Sequence, residues 1–173
     1  MTRNAAPPGA AQAFVAGRRA RLCAGLGREP VAAGLGAAPL PPERLAHLRR
    51  EAEDLYWNEL GWEELTGEEA VSGGGPLTEM VFPAFLSFVD ALLCDHVAPD
   101  SPVPARPHPD AVEEVLTFLG ERYAAATAEL EAGADSQKLV WARAMAAHLV
   151  DLVLYRLYRI TPAEQEQVEA ARR

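Results

Sequence analysis

The stretch Val150 to Glu169, VDLVLYRLYRITPAEQEQVE, constrains the fold more than any other part of the chain. It sets a long apolar run, a stop and a restart inside one short segment. Thr161-Pro162-Ala163-Glu164 has the pattern of a capping box with proline at the first helical position. In such a box the threonine hydroxyl accepts from a backbone N–H and the glutamate returns to the threonine N–H. No stretch of alternating β-branched residues competes elsewhere. A chain with these features buries its apolar surface by packing helix on helix.

The upstream helices follow from spacing. After Pro41-Pro42, Leu45, Leu48, Ala52, Leu55 and Tyr56 recur on one face, so a first helix is expected from about residue 43 to Gly61. An acidic stretch, Trp62 to Ala70, leads into SGGG at 72–75. A second helix, roughly Met80 to Val97, is apolar around most of its circumference, as in the centre of a bundle, with Pro83 in its first turn. The five prolines of 98–109 make an extended crossover. A third helix begins near Asp110 and stops near Gly133. The fourth starts at an Asp135 or Ser136 N-cap and runs to about Arg159. The expected fold is all-α, a four-helix bundle over 43–173 with a short additional C-terminal helix.

Residues 1–42 read differently. Ala, Gly and Pro dominate, in PPG at 7–9, GLGREP at 25–30 and PLPP at 39–42. A short helix from Ala10 to Ala24 fits the pattern, but the surrounding glycines and prolines predict a largely disordered arm. Its five arginines face one acid, giving +4, whereas residues 43–173 hold 11 basic and 24 acidic side chains, giving −13. So acidic a folded part repels a phosphate backbone, which leaves contact with nucleic acid or an acidic partner to Arg18, Arg19 and Arg21. The chain has 49% hydrophobic and 24% charged residues, which is enough for one core. Its longest apolar stretch, Met80 to Cys94, is too short and too interrupted to span a membrane. Two isolated cysteines, Cys23 and Cys94, suit a reducing compartment, so a cytoplasmic location is expected.

Candidate chemistry is sparse. His148, Asp151 and Tyr155 stand at i, i+3 and i+7 and share a helix face. An imidazole beside a carboxylate could ligate a metal or act as a general base, and His96 could join them if the bundle brings it there. The structural alternative is a histidine held by Asp151 or a neighbouring helix. No Glu-x-x-His pair, Walker loop, HExxH or GxSxG occurs, so no cofactor is expected. Tyr56, Trp57 and Trp62 cluster where the first helix ends, amid acids that favour a protein contact or core capping over nucleobase stacking.

The C-terminal wording DLVLYRLYRITPAEQEQVE resembles the helical segment at the end of many N6-adenine DNA methyltransferases, including fused restriction–methylation enzymes and phage-resistance methylases. Tyr155, Leu157, Tyr158, Thr161, Glu164, Val168 and Glu169 match that pattern. The family usually has glycine where Arg159 stands, so here the helix stop is expected to rest on Thr161-Pro162. The resemblance covers residues 150–169 and brings neither an Asn-Pro-Pro-Tyr-type loop nor a glycine-rich cofactor motif. It implies a docking or spacer element without the chemistry.

The leading expectation is a non-enzymatic helical interaction protein, set as an accessory subunit in a DNA-modification or phage-defence assembly. Tyr155, Tyr158, Trp57 and Trp62 are its candidate partner-binding residues. A small helical-bundle enzyme or metal-binding protein using His148 and Asp151 is the alternative from another class, and a homodimeric structural protein is the third.

Overall fold

The computed structural model describes residues 5–63, 82–101 and 106–172, and the secondary structure of those residues is helical. Six helices follow in order: α1 (Ala10–Leu26), α2 (Pro42–Glu63), α3 (Pro83–Leu92), α4 (Pro109–Glu131), α5 (Gln137–Leu157) and α6 (Pro162–Ala170). The five helices expected after residue 42 correspond to α2 through α6. The segments 64–81 and 102–105, which include the SGGG and most of the proline-rich crossover's centre, lie outside the described residues.

The proline, Gly133, Ser136 and Thr161 signals act as expected. Pro83 and Pro109 sit in the first turns of α3 and α4. Gly133, with φ 91°, follows the end of α4, and the Ala134 N–H reaches back to the Glu129 carbonyl at 3.1 Å. The Ser136 hydroxyl accepts from the Leu139 N–H to open α5, and both arms of the Thr161–Glu164 capping box are formed at α6.

Helices α4 and α5 form the central hairpin, and the other helices pack around it. Leu116, Leu119, Met145, Leu149 and Val153 are fully buried there. Tyr56 of α2 is completely buried in an aromatic group with Phe82, Phe85 and Phe118, their ring centroids 5.4–6.1 Å from its own. Glu59 of α2 caps α3 from the side, its carboxylate accepting from Ala84 N at 2.6 Å and Phe85 N at 3.1 Å. A carboxylate at a helix N-terminus satisfies donors that have no partner within the helix and complements the helix dipole.

Three expectations are corrected. The first concerns the arm: Ala10–Leu26 is a seventeen-residue helix packed on α4 and α6, with Leu22 only 1% exposed. It lies close because of glycine. A Cβ on Gly120 of α4 would stand 2.8 Å from the Ala11 carbonyl oxygen, and one on Gly25 would stand 3.1 Å from Val168 Cα of α6. The second concerns α3, which ends at Leu92 rather than near Val97 because Cys94 turns into the left-handed region, φ 61°. The third concerns α5, which ends at Leu157, with Arg159 left-handed at φ 50°. The Ile160 N–H bonds to the Tyr155 carbonyl at 2.9 Å and the Arg159 N–H to Arg156 at 3.1 Å, the paired bonds of a Schellman stop. Arginine therefore occupies the conformation usually given to glycine, and the stop does not rest on Thr161-Pro162 alone.

Candidate functional site

Arg18 and Arg19 of α1 are directed inward, onto the acidic helices. Asp151 of α5 is 6% exposed and lies between two guanidinium groups, Arg18 Nε at 3.5 Å and Arg172 Nη1 at 3.0 Å. A buried carboxylate needs compensation of this kind. Burial pulls the Arg18 guanidinium down from its ordinary value while Asp151 pulls it up. Arg19 forks onto both oxygens of Glu113 at 2.9 and 2.8 Å and donates to the Tyr158 hydroxyl at 2.6 Å. These bonds hold Arg19 above the usual arginine value. Arg28 closes the seam onto Glu164 at 2.6 Å and so holds that carboxyl below the usual carboxylate range. The +4 of residues 1–42 is thus spent largely against the −13 of the rest, inside one chain.

This geometry reassigns most of the expected site residues. Arg18 and Arg19 do not form a free basic arm; of the three clustered arginines, only Arg21 is exposed and without an ion partner among the described residues. Tyr155 is 4% exposed, so it belongs to the core and not to a partner surface. Tyr158 is half-buried beneath Arg19, whose Cζ lies 5.8 Å from its ring centroid. Trp57 keeps its surface character at 44% exposure. The side chain of Trp62 lies outside the described residues.

The histidines are not brought together. His96 is exposed at the end of α3 beside Asp90, and Asp90 accepts from Arg156 Nε at 2.9 Å. Arg156 and Asp151 point from α5 roughly 140° apart at about 100° per residue. His96 therefore belongs to a different face from Asp151 and its two arginines. His148 is half-buried one turn before Asp151. Among the described residues no three His, Cys, Asp or Glu side chains converge as metal ligands. Asp151 could join a metal only by giving up guanidinium partners.

Two concave features among the described residues bear on function. One is a cavity of about 670 Å³ between the ends of α2 and α4 and the start of α5, lined by Trp57, Leu60, Arg122, Glu129, Lys138 and Trp141 among others. The Arg122 guanidinium lies 4.4 Å over the Trp57 ring. The other is a groove of about 470 Å³ between α1, α4 and α5. Small side chains form much of it, Ala13 and Gly17 from α1 and Ala144 and Ala147 from α5, and Arg21 and Arg143 stand among its lining. Neither was legible in the sequence, since each joins residues from three separate helices. The small-residue spacing of α1, with Ala13, Gly17 and Ala20 on one side, was the one available hint of the groove.

Comparison with family models, curated proteins and solved structures found no match for this chain.

Proposed function

We propose that the chain is a non-enzymatic helical interaction protein, which receives an acidic amphipathic helix of a partner protein in the α1/α4/α5 groove. The observation that carries this reading is the pairing pattern of the cations. Arg18, Arg19 and Arg28 of the first 42 residues are held by carboxylates of this chain. Arg21 and Arg143, at the groove, make no ion pair among the described residues. A small-residue floor admits a second helix at close range, and two unpaired guanidinium groups select a negatively charged one. Val140, an exposed apolar residue at 37%, adds hydrophobic surface beside them.

The setting proposed for this interaction is an accessory role in a DNA-modification or phage-defence assembly. What supports it is the resemblance of residues 150–169 to the methyltransferase tail. Tyr155, Leu157 and Val168 of that tail are core residues here, so the partner contact is assigned to the groove and not to the tail.

Affinity capture from the native host tests both parts, using the wild type beside an Arg21→Glu/Arg143→Glu double variant. The expected result is a partner carrying an acidic helix, retained by the wild type and lost by the variant, in company with a methyltransferase or nuclease. Identical capture by both proteins contradicts the groove assignment. A concentration-dependent dimer in light scattering, abolished by the double variant, would instead assign the groove to a second copy of the chain.

A further inference from the structure

The cavity at the start of α5 holds two buried donors without acceptors. Trp141 is 5% exposed and its indole Nε1 has no hydrogen-bond partner; the Arg122 Nε is likewise buried and unpartnered. A buried donor left unpaired forfeits its hydration without return, so such a group calls for an explanation. Here both belong to residues that line one cavity.

The rest of the lining has a consistent chemistry. Trp57 and Trp141 contribute two indole surfaces, and Leu60, Leu139 and Ala142 add aliphatic ones. Arg122 brings a guanidinium to the lining, beside the carboxylate of Glu129. Lys138 and Leu139 are also in the first turn of α5, a twenty-one-residue helix whose N-terminal peptide dipoles favour an anion. About 670 Å³ lies within the range of sites that enclose small organic ligands.

From these observations we infer that the cavity is a binding site for a small aromatic carboxylate. Its ring would lie among Trp57, Trp141 and Leu60, and its carboxylate would accept from the Arg122 guanidinium and the Trp141 indole N–H. The Arg122 guanidinium, its Cζ 4.4 Å from the Trp57 ring centroid, carries five N–H donors suited to a carboxylate. The site is separate from the α1/α4/α5 groove, shares no lining residue with it, and stands whether or not a partner helix docks there.

The test is calorimetric titration of the full chain with naphthalene-2-carboxylate, alongside naphthalene-2-carboxamide, which has the same rings without the charge. The carboxylate is expected to bind one to one and at least tenfold tighter than the amide. Arg122→Gln should remove that preference, and Trp141→Phe should weaken binding severalfold by deleting one donor while keeping a ring. Ala125→Phe, which fills the cavity and leaves both donor residues in place, should abolish binding, and circular dichroism on each variant confirms that it is folded. Absence of binding to the wild type at millimolar ligand overturns the inference. So does equal affinity for the amide, or binding indifferent to Ala125→Phe.

Discussion

At the scale of single residues, two positions carry conformations or charges that their side chains do not favour. Arg159 sits at φ 50°, where a Cβ costs roughly 1 kcal/mol relative to glycine. Its ion pair with Asp95 spans 3.6 Å between side chains 59% and 36% exposed, and contacts of that kind contribute little. Arg159→Gly is therefore expected to stabilise the fold by about 0.5–1 kcal/mol, read as a higher denaturation midpoint with an unchanged slope. A lower midpoint would show that the Asp95 contact outweighs the backbone strain. His108 is the second position. It is 1% exposed, neither ring nitrogen has a partner, and burial together with Arg106 holds its pKa below the ordinary histidine value against the pull of Asp110. Arg44 acts in the same direction as Arg106. Below about pH 6.5 the unfolded chain takes up a proton that the folded chain refuses, so stability falls as the solution is acidified through that value. His108→Leu should flatten the change in melting temperature between pH 7.5 and 5.5; an unaltered slope would place the dependence elsewhere.

Among elements, the decisive one is α1. Read as sequence, its glycines and prolines indicate a mobile arm, because Gly9, Gly27, Pro7 and Pro8 are the strongest local signals and the hydrophobic face is thin. What orders it is non-local. Leu22 and Val15 enter the core, Gly120 and Gly25 let helices approach, and three arginines find carboxylates more than 90 residues away in sequence. None of those contacts has a local signature. The helices after residue 42 were legible because their caps and stripes are local: Ser136, Gly133 and the Thr161 box act within a few residues of themselves. The left-handed turns at Cys94 and Arg159 were missed for the converse reason, since no glycine marks them. Gly120→Ala tests the close approach directly. In an isolated helix the change would stabilise by about 1 kcal/mol. Against the Ala11 carbonyl it is expected to destabilise by about 1–3 kcal/mol, measured by thermal or denaturant unfolding. A stabilised variant would mean that α1 is not seated on α4.

For the whole molecule, the charge asymmetry between the two parts of the sequence is an internal adhesive more than an external one. The basic first 42 residues and the acidic remainder are drawn together, and Arg21 and Arg143, which line the groove, mark the face on which an acidic partner is proposed to dock. That face exists only if α1 is a fixed wall of the bundle. The sequence did not reveal the groove or the two-tryptophan cavity, which arise where three helices converge. The most direct measurement is therefore amide hydrogen exchange across residues 10–26 at neutral pH in the free protein. Slow exchange through α1, centred on Leu22 and within reach of the protection seen in α4 and α5, is the expected result. Exchange of the whole segment at the rate of an unstructured chain would contradict the seating of α1, and the docking groove would be withdrawn with it.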